Sequence, residues 1–346
     1  MRRVRIADVA AQAGVSKTAV SFAFNSPERL NQRTSARIRE VAAALGYRPR
    51  SRDGAGLGAS SRTIGLLTPD GPSLAFADAS YAALCEGASE VVEAAGYGLL
   101  CLSAAGGSLE RAIRDRSVDG ILALGLAEAS LPVEGVRRSG LPLVLADVEA
   151  LPEHGSVDSN DEVGARAAVR HLLGLGHRRF AVVGMEPSEG FEGGGPSGSV
   201  ASRRLSGYRQ ALQTSGIRLG DRRIVVGPAS FDGGMAALHR LWEDGLRPTA
   251  ILAMSDAMAV GVLWAARELG LSVPGDLSVV GFDDLDLAAH SSPPLTTVQV
   301  PLRRKGSEAA EMLLRMIAEP DVARPEHRTL ETRLILRAST APPAAG

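Results

Sequence analysis

The sequence predicts a small all-α head followed by a two-lobed α/β body, and three observations carry that expectation. Residues 6–46 hold three short apolar stripes at helical spacing. Residues 48–62 lose all periodicity. Beyond them, short apolar runs alternate with longer amphipathic ones, the pattern of parallel sheets with helices on both faces. A body of about 280 residues is too long for one such sheet, so two lobes are expected. Ligands of open α/β sheets bind beyond the carboxyl ends of the strands, which places a cleft between the lobes.

In the head, Ile6, Val9, Ala10 and Ala13 follow i, i+3, i+4, i+7. Gly14 ends that helix, because a tight turn there needs left-handed backbone. Ser16 can cap a second helix through its hydroxyl, with Val20 and Phe24 facing inward. Asn25-Ser26-Pro27 stops it. Ile38, Val41, Ala42 and Leu45 form a third stripe, with Asn31 as its cap and Gly46 as its stop. The segment from Arg48 to Arg62, rich in Gly, Ser and Arg, reads as a linker. The expected division is a three-helix head over 1–48, a linker over 49–62 and an α/β body over 63–340.

In the body, strands are expected at Thr63–Leu67, Gly98–Leu102, Gly120–Leu124, Leu143–Ala146, Phe180–Gly184, Ile224–Val226, Ala250–Met254, Leu277–Phe282 and Thr329–Leu336. Helices are expected at Ala77–Ala95, Leu109–Arg116, Asp161–Leu173, Arg203–Thr214, Gly233–Asp244, Ala257–Leu269 and Arg303–Ile317. Glu189–Ser199 reads as a loop. Its Gly-Gly-Gly-Pro lacks the Lys-Ser/Thr that a phosphate loop requires.

Charge separates the two parts. Residues 1–52 carry 11 Arg and Lys against 3 Asp and Glu, a net of +8, and the remainder carries 27 against 36, a net of −9. A basic head on an acidic body points to a polyanion as the partner of the head alone. No apolar run approaches the ~18 residues of a membrane span, and the basic N-terminus lacks the apolar stretch of a secretory signal, so a cytoplasmic protein is expected. Cys85 and Cys101 cannot form a disulfide framework and read as small buried hydrophobes. The six histidines are scattered without metal-ligand spacing, and no Gly-x-Ser-x-Gly elbow occurs. Neither an enzyme nor a cofactor is therefore expected. His171 and His177 bracket a turn after a helix, where a capping role is expected.

The string Ile6-Ala7-Asp8-Val9-Ala10-Ala11-Gln12-Ala13-Gly14-Val15-Ser16, followed by Val20-Ser21 and Asn25, resembles the head of the LacI/GalR repressor family. The resemblance continues through Leu45-Gly46-Tyr47-Arg48-Pro49, His171–Arg178, Leu205-Ser206-Gly207-Tyr208 and Ala253-Met254-Ser255-Asp256. It is strongest over Val273–Asp284 and in Pro293-Pro294-Leu295-Thr296-Thr297-Val298. It implies that the head is a helix-turn-helix domain, the linker a hinge and the body an effector sensor. The sensor it implies is periplasmic-binding-protein-like, with parallel sheets flanked by helices, pairing as a homodimer on a pseudo-palindromic double-stranded operator.

A helix-turn-helix lays the start of its second helix against base edges in the major groove. Lys17 and Thr18 are the leading candidates: Lys reaches guanine O6 and N7, and Thr offers a hydroxyl and a methyl. Ser21 and Phe22 lie one turn on. The family often carries Arg where Phe22 stands, and Phe22 either packs on a thymine methyl or belongs to the core. Arg2, Arg3, Arg5, Ser16, Asn25, Arg33 and Arg50 are candidates for phosphate contact. Relatives wedge a linker Leu into the minor groove. Leu57 is the candidate, with Gly54, Gly56 and Gly58 around it opposing a hinge helix.

For the cleft, the resemblance implies Arg204 as the arginine that grips the effector and Asp283 as the acid that accepts its hydroxyls. Asp147 is a third polar candidate, Phe231 an aromatic wall, and Ser255 and Asp256 begin a helix facing the cleft. Asp283 and Asp284 have a second reading, as braces of the segment after their strand. Carboxylates with a guanidinium suit a hydroxylated or anionic small molecule. Two bodies would hold two heads about one DNA turn apart, roughly 34 Å. Closure of the cleft by the effector would change operator affinity, release being the commoner family pattern. The Pro- and Ala-rich end carries no heptad tail, so a dimer is expected rather than a tail-joined tetramer.

Overall fold

The computed structural model describes residues 6–25, 29–45, 60–68, 76–104, 106–125, 133–147, 153–185, 199–319 and 325–344. Residues 1–61 form one compact unit and residues 62–346 another.

The first unit holds α1 (Ile6–Ala13), α2 (Lys17–Asn25) and α3 (Gln32–Ala44). Val9, Ala10, Ala13, Val20, Ala23, Ile38 and Ala42 form its core, the faces that helical spacing picks out. Gly14 adopts φ +65°, and the Val15 amide returns to the Ala10 carbonyl at 3.0 Å, closing α1 as the turn chemistry predicts. Ser16 Oγ accepts from the Ala19 amide at 3.1 Å, and Asn31 Oδ1 from the Thr34 amide at 2.7 Å. Both are the expected caps. The Arg39 guanidinium donates to the Ala23 carbonyl at 3.1 and 3.2 Å and ties α3 to α2.

The second unit contains two six-stranded sheets. The first has the order β11-β5-β4-β3-β1-β2 and is parallel throughout. Its strands are β1 (Thr63–Thr68), β2 (Gly98–Ser103), β3 (Gly120–Leu124), β4 (Leu143–Ala146), β5 (Gly155–Ser159) and β11 (His327–Leu330). The second, β12-β10-β9-β8-β6-β7, is parallel except for β12. It comprises β6 (Phe180–Met185), β7 (Ile224–Gly227), β8 (Ala250–Ala253), β9 (Ser278–Asp283), β10 (Thr296–Gln299) and β12 (Arg333–Ile335).

Helices α4 (Ala79–Ala94), α5 (Ser108–Asp115), α6 (Val133–Ser139) and α12 (Leu302–Ala318) belong to the first lobe. Helices α7 (Asp161–Gly174), α8 (Val200–Thr214), α9 (Phe231–Glu243), α10 (Asp256–Glu268) and the short α11 (Asp286–His290) belong to the second. The chain passes between lobes after β5, after β10 and between β11 and β12. Apolar strands such as Ile121–Leu124 and Ala250–Ala253 are wholly buried, as helices on both faces demand.

Three features depart from the expected elements. The single strand expected over Thr329–Leu336 is two, β11 and β12, paired in different sheets. The break falls at a lobe crossover, where Thr332 Oγ1 donates to the Asn160 carbonyl at 3.0 Å. β5 and β10 escaped the sequence reading because Gly-Ser-Val-Asp-Ser and Thr-Thr-Val-Gln lack the apolar run of a buried strand. α6 and α11 are too short to show a helical period. Glycines carry the closest contact of one helix pair: a Cβ on Gly87 would sit 1.9 Å from the Arg303 carbonyl oxygen and one on Gly306 2.0 Å from that of Leu84, so α4 and α12 touch backbone to backbone.

His177 does not act as a cap. It is buried, its Nδ1 lies 3.0 Å from Thr249 Oγ1, and its Nε2 lies 3.0 Å from Ser278 Oγ and 2.9 Å from the Ala341 carbonyl. His171 Nε2 lies 2.9 Å from Thr340 Oγ1. The two rings anchor the C-terminal segment against the second lobe.

Candidate functional site

The head presents the start of α2. Ser16, Lys17 and Thr18 are exposed there, the first serving the cap and the others projecting from the first turn. Phe22 is half-buried, and the Arg29 guanidinium lies 5.5 Å from its ring centroid, so the ring is already covered on one face. Arg33 is exposed in the first turn of α3. Ser21 and Asn25 are helical positions of α2 whose side chains lie outside the described residues. Arg2, Arg3, Arg5, Arg50 and Leu57 also lie outside them.

In the body, charged groups collect where the strands of both sheets end. Arg204, on α8, is 4% exposed. Its Nε donates to Asp161 Oδ1 at 3.0 Å, its Nη2 to Asp283 Oδ1 at 2.8 Å, and its Nη1 to the Met254 carbonyl. The guanidinium lies 3.8 Å from the Phe282 ring centroid. Burial opposes its charge, but Asp283 and Asp161 outweigh burial and hold its pKa above the ordinary value. Asp161, the first residue of α7, is also fully buried. Arg204, Lys305 and Arg203 overcome its burial and keep its pKa low.

Asp283 ends β9 at φ +111°, and Asp284 follows at +58°. Two successive non-glycine residues in this region mark stored backbone strain. The second oxygen of Asp283 accepts from Ser80 Oγ of α4 at 3.2 Å, so one carboxylate touches both lobes. Burial pushes Asp283 up to about 6 against the pull of Arg204. Asp284 serves as a brace: it accepts from Arg337 Nη2 at 2.7 Å and Gln299 Nε2 at 2.9 Å.

On the first lobe, Asp147 follows β4 at φ +59° and pairs with Lys305 Nζ of α12. Lys305 is 1% exposed and also donates to Ser159 Oγ at 2.9 Å. Arg203 reaches over from α8 and lies 3.1 Å from Asp161, 3.7 Å from Asp147 and 3.7 Å from Asp158.

The structure therefore brings the expected Asp147, Arg204 and Asp283 into one network. Ser255 and Asp256 lie beside it but are occupied. Ser255 Oγ caps α10 by accepting from the Met258 amide at 3.3 Å. Asp256 is fully buried, with one oxygen accepting from Thr297 Oγ1 at 2.5 Å and the other from the Leu285 amide at 2.8 Å. The Phe231 ring packs edge-to-face on Trp264 with centroids 6.1 Å apart.

Five members of the network, Ser80, Asp158, Asp161, Arg203 and Lys305, were not singled out from the sequence. Lys305 carried a readable signal. It falls on the apolar stripe Leu302, Ala309, Met312, Leu313 of its helix, where a charge is expected only if paired.

Comparison with known proteins bears on this arrangement. The family described as "Bacterial regulatory proteins, lacI family" matches residues 5–50, and the "Periplasmic binding protein-like domain" matches residues 169–340. The transcriptional repressor CytR of Escherichia coli is 32% identical over 345 residues, covering 96% of this chain and 95% of that one. The chain belongs to the LacI family of bacterial regulatory proteins. Catabolite control protein A of Priestia megaterium is 30% identical over 326 residues, covering 92% and 94% of the two chains. Among solved structures, a CelR–cellobiose complex matches with TM-score 0.71 at 29% identity, covering 97% of this chain and all of that one. The lac repressor dimer bound to operator and an anti-inducer matches with TM-score 0.69 at 26% identity, covering 98% and 100%. This LacI-family chain is a DNA-binding transcription regulator, not an enzyme. Among the described residues no helix is long and apolar enough to cross a membrane.

Proposed function

We propose that the chain is a cytoplasmic, homodimeric repressor whose grip on a pseudo-palindromic operator is set by a small hydroxylated effector, a sugar or a close relative. The observation that carries this reading is Asp283. It is held from the second lobe by Arg204 and reaches Ser80 of the first, at the ends of the strands, where open α/β sheets take ligands. A carboxylate in that position accepts hydroxyls, and the relatives solved with cellobiose and with an anti-inducer on operator carry small molecules on the same fold. Asp147 and Asp283 are the acceptors, and Arg204 orients Asp283. Ser255 and Asp256 support the wall, and Phe231 flanks it. Lys17 and Thr18 read bases, and Arg5, Ser16, Ser21, Phe22, Asn25, Arg33, Arg50 and Leu57 complete the DNA surface. The division into head (1–48), hinge (49–62) and sensor (63–340) follows from this.

The test is a thermal-shift screen against cellobiose and other sugars, followed by gel shifts on the chain's own upstream DNA. A hit should raise the melting temperature and change operator affinity, and Asp283→Ala should abolish the response to it. A chain lacking residues 1–61 should lose the operator and keep the hit. Equal operator binding by the truncated chain would overturn the reading.

A further inference from the structure

Among the described residues, Arg203 makes the ion pairs that reach from the second lobe into the first. The group around it, counted over the same described residues, has an odd charge count. Asp147, Asp158, Asp161 and Asp283 supply four carboxylates, whereas Arg203, Arg204 and Lys305 supply three cations. The cations are closely held by the other three acids, Lys305 by Asp147, Arg204 by Asp161 and Asp283, and Arg203 by Asp161. Asp158 is the acid left over. Among the described residues its nearest cation is 3.7 Å away, and its buried Oδ1 has no hydrogen-bond partner among them.

We propose that Asp158 and Arg203 form a proton-controlled clasp between the lobes: a neutral Asp158 permits the closed arrangement, and an ionised Asp158 favours opening. A carboxylate without its own counter-charge is costly to bury and is relieved by water. The Arg203 guanidinium lies 3.7 Å from the buried Asp158 Oδ1, so parting the lobes would admit water to that oxygen.

The charged groups acting on Asp158 come from several elements around it. Asp147 stands after β4, Lys305 on α12, Arg203 on α8 and Asp161 on α7. On the neighbouring β11, His327 is engaged by Ser156, and Arg328 by Glu308 and Glu326. Burial and then Asp147 push the Asp158 carboxyl up to about 7, against Arg203 and Lys305. In an open cleft it returns toward the ordinary value near ~4. The closed form therefore holds a proton that the open form releases, and closure weakens as pH rises toward and through 7. The ratio of closed to open should fall about tenfold between pH 6 and pH 8.

The device needs no effector, so its test is separate from that of the effector reading. Small-angle scattering of the full, effector-free chain should give a larger radius of gyration at pH 8 than at pH 6. Asp158→Asn, neutral at every pH, should remain compact at both. Arg203→Met, which removes the clasp, should be expanded at both. A wild-type radius that does not change from pH 5.5 to 8.5 overturns the proposal whatever the variants do. So does an Asp158→Asn protein that keeps the wild-type pH response.

Discussion

Arg204 Nη2 lies 2.8 Å from Asp283 Oδ1, with both side chains at most 5% exposed and 79 residues apart in sequence. Deleting one member leaves the other as an uncompensated buried charge, which costs ~3–5 kcal/mol. Arg204→Met should therefore lower the unfolding free energy in urea by about that amount. Arg204→Lys should recover only part of it, because an ammonium cannot serve Asp161, Asp283 and Met254 in one plane.

Asp256 gives a prediction in pH. Burial and the neighbouring Asp283 push its carboxyl up to about 8. The folded chain therefore takes up a proton that the unfolded chain has released above about pH 4, and stability falls as pH rises from there through 8. Asp256→Asn should match wild type near pH 4 and exceed it by a growing margin in melting temperature from there to pH 9. Asp256→Ala should be ~1–3 kcal/mol less stable, because the Leu285 amide loses its acceptor.

His177 should govern the acid limb. Burial lowers its pKa, so the folded ring stays neutral while the unfolded chain takes up a proton below about pH 6.5. Its contribution is present above that pH and is lost as pH falls through the lowered folded value. The melting temperature of His177→Gln should fall less between pH 7 and pH 5 than that of wild type.

Gly306→Ala tests the backbone contact of α4 with α12. A methyl 2.0 Å from the Leu84 carbonyl oxygen must part the helices, at a cost of about 3 kcal/mol. Calorimetry should show a lowered transition, with the circular-dichroism spectrum retained.

At the DNA surface, Lys17→Ala should cost ~1–3 kcal/mol of operator affinity and relax specificity at one base pair of each half-site. Arg33→Ala should weaken operator and random DNA alike and reduce the salt dependence. Fluorescence anisotropy at several salt concentrations separates the two.

Much of this was legible along the chain. Gly14, Ser16 and Asn31 made their expected turns and caps because those interactions span only a few residues. Val9 and Ile38 declared a buried face through spacing alone. The strand-end positions of Asp147 and Asp283 followed from alternation of apolar runs and helices, and their association with Arg204 came with the family resemblance. β5 was missed, and Asp158 with it, because its polar residues are buried by the neighbouring strands and α12 rather than by a pattern of their own. Asp256 looked like a ligand contact but is used up inside its lobe by Thr297 and Leu285, partners 41 and 29 residues away.

The amino-acid order alone therefore determined the three-helix head, the alternating α/β body, the basic and acidic halves and the family. These rest on local spacing and composition. Which charges meet was decided only in three dimensions. Ser80 finds Asp283 203 residues away, and Lys305 finds Asp147 158 residues away, because the three crossings between the sheets bring separate strand ends to one place. Periodicity records which face a residue presents, but it holds no record of the element that will pack there.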